Sequence, residues 1–265
     1  MKLFYRKYGE GPALIILHGL YGSSDNWVSV AKKISNKFKV YLPDLRNHGN
    51  SPHSEIHDYE ALSDDIIEFA EARQLSRFFL AGHSMGGKTA VSVAVRKPEL
   101  LMGLIVADIS PFADHRAAES AVREHLQILK AMAATDLSGI KKREEVDYQL
   151  RELITSAEVR NLIMKNLQRN SDSSFSWKIN VNSLIRNIGN ITGAYKKDEF
   201  QYGHISGFPV VFLKGENSGY ITTEGFNDIL RIFPGAELKI IRNAGHWLHA
   251  DNPEAVTESF LGLLE

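Results

Sequence analysis

Residues 78–95 read FFLAGHSMGGKTAVSVAV. Phe78–Ala81 is a short apolar run, Gly82-His83-Ser84-Met85-Gly86 is a G-x-S-x-G pattern, and an Ala/Val-rich segment runs from Lys88 to Arg96. This order predicts a strand, a sharp turn and a buried helix. Gly82 and Gly86 would let the chain pass close to neighbouring elements, where a side chain would crowd the turn. Such a turn lifts Ser84 above the end of the strand. The helix that follows offers free N–H groups and a positive dipole end to a developing oxyanion. The competing reading is a glycine-rich turn with an incidental serine. The strand before it and the helix after it favour a nucleophile.

Outward from this unit the pattern repeats. Ala13–Leu17, Phe38–Leu42, Leu104–Ala107, Val210–Leu213 and Leu238–Ile241 are further short apolar runs without strict alternation, as expected for strands covered on both faces. Helical spacing lies between them: Tyr59–Arg73 puts Leu62, Ile66, Phe69 and Ala70 on one face. Pro253–Leu264 opens behind a candidate cap at Asp251 or Asn252. Strands alternating with helices predict an α/β fold with a mostly parallel central sheet flanked by helices. From Phe112 to Tyr202 the alternation stops and apolar residues keep helical spacing, as in Val122, Leu126 and Leu129 or Val181, Leu184 and Ile188. The expectation is an all-helical cap, residues 112–202, inserted before the penultimate strand of a core made of residues 1–111 and 203–265. The serine-rich stretch Arg169–Ser176 reads as a connection inside it.

Composition removes several classes of function. Among 265 residues there are 31 basic and 32 acidic side chains, net charge −1, which gives no electrostatic footprint for nucleic acid or an anionic membrane. No cysteine is present, so disulfides, thiolate catalysis and cysteine-bound metals are excluded. No apolar run approaches the ~18 residues of a membrane span. The start of the chain reads as mature sequence and not as a signal peptide. The expected setting is cytoplasmic, for a monomer or homodimer.

Three stretches taken together, LHGLYGSSDNW (Leu17–Trp27), PDLRNHGNSPHS (Pro43–Ser54) and GHSMGG (Gly82–Gly87), resemble the α/β-hydrolase superfamily. DLRNHGNSPH is similar to the small esterases of the YbfF type and their eukaryotic relatives. The resemblance covers nearly the whole chain. It implies that the backbone N–H groups of Leu20 and Met85 form the oxyanion hole. It also places the catalytic base in AGHWLHADNPE (Ala244–Glu254), at His246, with His249 as a competitor three residues on.

The third triad member is missing from its usual place. Superfamily members carry it in a G-x-x-D pattern after the penultimate strand, and here Gly215 plus three is Ser218. A neutral serine cannot supply the charge that steadies an imidazolium. Two carboxylates are open as replacements: Asp108, at the exit of the LIVAD strand, and Glu216. Similarity to the YbfF type implies Asp108 as the acid, with Ser218 as an orienting fourth member. The structural alternative for Asp108 is a cap or strand-exit turn.

Other features carry less. Asp44–Ser51 reads as a hydrogen-bonded loop near the site, with Arg46 paired to a carboxylate. Lys141–Glu145 reads as a solvated helix face. Phe112, Met132 and Trp177 are candidates to line an acyl pocket, against the alternative of plain core. The expected chemistry is acyl transfer to water without metal or organic cofactor. The resemblance suggests a small-molecule ester of short to medium acyl chain, or an acyl-CoA thioester. Carbon–carbon bond hydrolysis on the same triad, and a ligand receptor with negligible turnover, remain open at this point.

Overall fold

The computed structural model describes residues 1–112, 115–193 and 204–264. In chain order the first part of the fold is β1 (Tyr5–Tyr8), β2 (Ala13–Leu17), α1 (Val28–Ile34), β3 (Lys39–Pro43), α2 (Tyr59–Glu71), β4 (Phe78–His83), α3 (Met85–Arg96) and β5 (Leu101–Ala107). An insert follows: α4 (His115–Ala134), α5 (Arg143–Arg151), α6 (Ala157–Met164), β6 (Leu167–Arg169), β7 (Phe175–Trp177) and α7 (Val181–Thr192). The chain then returns through β8 (Val210–Gly215), α8 (Thr223–Ile232), β9 (Ala236–Ile241), α9 (Leu248–Asp251) and α10 (Pro253–Leu261).

Seven strands form one sheet in the order β1-β3-β2-β4-β5-β8-β9. Only β1 runs antiparallel, pairing Tyr5 with Pro43 through Tyr8 with Val40. Its YRKY alternation of half-buried and exposed residues suits a charged sheet edge, which discourages pairing with other chains. The central strand β4 is buried along its whole length. One core on the α2, α3 and α8 face contains Phe69, Val91, Phe212 and Phe233; the opposite core contains Trp27, Phe38, Phe79 and Phe260. From Met85 to Ala94, α3 is buried all round, which explains its run of Gly, Ala and Val. Asn252, not Asp251, caps α10 by accepting a hydrogen bond from the Ala255 N–H.

The insert departs from the all-helical expectation. β6 and β7 pair antiparallel, Leu167 with Trp177 through Arg169 with Phe175, and the serine-rich stretch is their turn. Asn170 N donates to Ser174 O, Asp172 accepts from Ser174 N, and Ser173 takes φ 69°. Three-residue strands are too short to show a period of two. Leu150, Leu153 and Ile154 keep helical spacing in the sequence, but α5 ends at Arg151, leaving Leu153 exposed and Ile154 buried beyond it. The insert has a core of its own, including Leu129, Leu150, Ile163 and Leu184. It is tied to the loop after β3 and to the first residue of α2: Asn180 N donates to Asn47 O (2.9 Å), Ser183 Oγ to Ser54 O (2.7 Å) and Tyr59 Oη to Ile191 O (2.6 Å). The expected boundary at 202 and 203 lies outside the described residues. Among the described residues, no helix is long and apolar enough to cross a membrane.

Candidate active site

The parallel strands deliver their carboxyl ends to one edge, where open α/β sheets bind ligands. Ser84 caps α3 with φ 53° and ψ −118°, a backbone state that a serine adopts at a cost of about 1–3 kcal/mol. The glycines around it permit the turn. A Cβ on Gly82 would lie 2.1 Å from Gly86 O, and one on Gly86 would lie 2.5 Å from His18 O. The side chain of Ser84 is half-buried, and its Oγ makes no hydrogen bond among the described residues.

The turn after β2 reaches the same place. A Cβ on Gly19 would stand 3.3 Å from Ser84 Cβ, so this backbone passes directly beside the serine. Gly22 N donates to Gly19 O at 3.0 Å, closing a turn in which Tyr21 has φ 63°. His18 fixes the strand exit from below. Its Nε2 accepts from Leu45 N (2.9 Å), so the proton lies on Nδ1, which donates to Gly19 O (2.8 Å). Burial lowers the His18 pKa and keeps the ring neutral, in agreement with this tautomer. Leu20 and Met85, the two expected amide donors, thus sit on the two segments that flank Ser84.

Asp108 follows β5, fully buried, with φ 49°. Its Oδ1 accepts from Gly215 N at 2.9 Å. Its Oδ2 accepts from His246 Nδ1 at 2.8 Å and also from Ser218 Oγ. Three donors on one carboxylate, one of them an imidazole, is the environment that holds a buried charge. Glu216 is turned elsewhere: its Oε2 accepts from Asn243 N at 2.8 Å in an exposed loop. The geometry therefore joins His246, Asp108 and Ser218, and leaves Glu216 outside.

His246 is held from two further sides. His83, beside Ser84 in the chain, donates Nε2–H to His246 O at 2.8 Å, and its ring lies 4.6 Å from the His246 ring. Burial, and then the neighbouring His246, push the His83 pKa well down, so His83 serves as a neutral donor. Tyr220 stacks on the other imidazole, with centroids 4.1 Å apart and planes at 26°. Its backbone N–H also donates to Ser218 Oγ (3.3 Å). Neither His83 nor Tyr220 stood out in the sequence, because ring stacking and cross-chain carbonyl contacts leave no spacing to read. His249 makes no hydrogen bond to Asp108 or Ser84 among the described residues, although its ring lies 5.1 Å from that of His83. It is buried against Trp27, with centroids 4.7 Å apart, and burial lowers its pKa to about 4.

The expected pocket residues divide. Met132 is 1% exposed in the insert's own core, and its carbonyl accepts the Trp177 indole N–H at 3.1 Å. Those two residues thus form an internal contact of the insert. Phe112 belongs to the sheet-side core together with Met85. The Asp44–Ser51 loop is a hydrogen-bonded unit, and Arg46 forms a bidentate pair with buried Asp65 at 2.6 and 2.8 Å. Lys141–Glu145 is exposed throughout. Among the described residues, no cluster of His, Asp and Glu could hold a metal ion.

The alpha/beta hydrolase fold family matches residues 12–253. The chain belongs to the α/β-hydrolase family. A marine microorganism esterase of known structure is 42% identical, with a TM-score of 0.92 and 99% of each chain covered. An sn-1-specific diacylglycerol lipase from Danio rerio is 33% identical over 97% of this chain and 80% of its own length. Esterase YbfF of Escherichia coli is 30% identical over 92% of this chain and 89% of its own. These similarities support a carboxylesterase-type hydrolase of the YbfF kind.

Proposed function

We propose that this hydrolase cleaves carboxylic esters through an acyl-enzyme on Ser84. The observation that carries the reading is the buried Asp108 carboxylate, 2.8 Å from His246 Nδ1, in a loop held against the residue preceding Ser84. With Nδ1–H donated to Asp108, Nε2 is free to take the Ser84 proton as Oγ attacks the ester carbonyl. The amides of Leu20 and Met85 receive the oxyanion. His246 then passes its proton to the departing alkoxide, and activates water against the acyl-enzyme in the second half. Ser218 orients Asp108 and carries no charge itself. The insert acts as a cap over this edge.

Short to medium acyl chains are the proposed substrates, with acyl-CoA thioesters as a second class. The names of the vertebrate relatives add diacylglycerols, with the ester at sn-1, to the panel worth testing. The test is hydrolysis of p-nitrophenyl esters of graded chain length, an acyl-CoA series and dioctanoylglycerol by wild type and Ser84→Ala. Loss of every activity in Ser84→Ala, with a burst of p-nitrophenol in wild type, is the expected result. Turnover that survives in Ser84→Ala would overturn the acyl-enzyme reading.

A further inference from the structure

Tyr21 occupies a position in the oxyanion turn that its side chain disfavours. Gly19 O accepts from Gly22 N, Tyr21 has φ 63°, and Leu20 is not among the positive-φ residues. This is the pattern of a type II turn with Tyr21 third, the position that calls for glycine or asparagine. A tyrosine there is held at a cost of about 1–3 kcal/mol. The turn also carries the Leu20 amide beside Ser84.

What holds Tyr21 comes from the insert. Asn166, 3% exposed in the link between α6 and β6, donates its Nδ2–H to Tyr21 O at 2.8 Å. Asn166 is itself fixed: its N–H donates to Ile163 O, and its carbonyl accepts from Lys178 N, both at 2.8 Å. At the other end of the residue, the Tyr21 hydroxyl lies 3.3 Å from His125 Nδ1 and 3.4 Å from His125 O on α4. The Tyr21 ring is 3% exposed and belongs to the hydrophobic core of the insert; Leu20 packs against that core and against the sheet-side core. The oxyanion turn is thus covalently part of the sheet and packed as part of the insert.

We propose that Asn166 and His125 are positioning residues that hold the Leu20 amide in its oxyanion-binding place by gripping Tyr21. The insert thereby completes the catalytic apparatus as well as covering it. This rests on the Ser84 acyl-enzyme reading. The oxyanion develops only as Oγ attacks, so loosening the turn weakens the transition state and leaves ground-state ester binding in place.

The test compares Asn166→Ala, Asn166→Asp and Tyr21→Phe with wild type and Ser84→Ala. It reads kcat and KM on p-nitrophenyl butyrate and Ki for an alkyl trifluoromethyl ketone, whose hemiketal oxyanion needs the same amides. Complete loss of one oxyanion donor costs ~100- to 1000-fold, so a loosened one is expected to lower kcat about 10-fold in the Asn166 variants. Ki should rise in parallel while KM stays near its wild-type value, and Tyr21→Phe should show a smaller change of the same kind. A fall in Tm with kcat and Ki unchanged would reduce Asn166 to a structural contact and overturn the proposal. A rise in KM alone would also overturn it, placing the grip in binding. Should Asn166→Ala fail to fold, Tyr21→Phe, which removes only a hydroxyl, decides the matter. Turnover in Ser84→Ala would show instead that the underlying function reading had failed.

Discussion

Replacing Asp108 by asparagine keeps the shape of the site and changes only which atoms donate. The Gly215 N–H, 2.9 Å from Oδ1, decides how the new amide sits. With the amide oxygen toward Gly215, the NH2 faces His246 Nδ1, which must then accept. The imidazole proton moves to Nε2, and the ring can no longer take a proton from Ser84. With the amide reversed, two N–H donors meet at Gly215 in a fully buried site, leaving a donor unsatisfied at ~1–3 kcal/mol. The unproductive tautomer is therefore the favoured one. By analogy with other Ser-His-Asp sites, kcat should fall by roughly 10⁴, equivalent to about 5.4 kcal/mol of barrier. The assay is kcat on p-nitrophenyl butyrate, with thermal unfolding to show that the variant is folded, and Glu216→Gln beside it. Glu216 binds only a backbone N–H in an exposed loop, so its variant should keep wild-type kcat. An Asp108→Asn enzyme that retains more than about a tenth of wild-type kcat would refute the tautomer argument. A Glu216→Gln enzyme as impaired as Asp108→Asn would move the acid to Glu216.

Two further outcomes follow from buried titratable groups. His249 is neutral in the fold with a pKa lowered to about 4 by burial, whereas unfolded histidine titrates near 6.5. The unfolded chain therefore binds the extra proton first, and stability falls as pH drops from 6.5 to 4, by about 3 kcal/mol from this group; His249→Phe, which keeps a ring on Trp27, should flatten that part of a urea-denaturation pH profile and preserve turnover. Arg46→Met would leave the Asp65 carboxylate buried without its bidentate partner; the Met1 ammonium at 3.1 Å offsets part of the loss, so about 3 kcal/mol of destabilisation is expected by urea titration, with Arg46→Met/Asp65→Leu recovering most of it.

Most of the sheet was legible because β2, β3, β4, β5 and β8 are largely covered on both faces and read as continuous apolar runs; β9 showed the apolar run Leu238–Ile241 although it is half-exposed at the other edge. β1 escaped notice because YRKY is half-exposed at an edge. The β6–β7 hairpin escaped because three residues cannot establish a period. The strand, turn and helix around Ser84 were legible from the flanking apolar runs; the residues alone left Asp108 and Glu216 both open, the resemblance to YbfF-type esterases implied Asp108, and Asp108 is the one that contacts His246. The contacts of Tyr220, His83 and Asn166 were not, since each is made by residues far apart in the chain: Asn166 meets Tyr21 across 145 positions and His83 meets His246 across 163. Met132 and Trp177 show the converse. These large apolar residues, one on α4 and one on β7, serve the insert's own packing, and the sequence pattern does not distinguish an inner wall from an inner core.

The serine and the aspartate precede the insert, while Ser218 and His246 follow it, 110 and 138 residues beyond Asp108. During synthesis, β5 must therefore wait as an open edge until the insert has been made and β8 arrives to pair with it. Non-local pairing of this kind is slow and exposes strand edges meanwhile. An insert with its own hydrophobic core can condense in that interval and shorten the effective separation between β5 and β8. The last stretch of the polypeptide to dock is then the one that carries His246, so on the proposed mechanism hydrolytic competence would appear only at the end of folding.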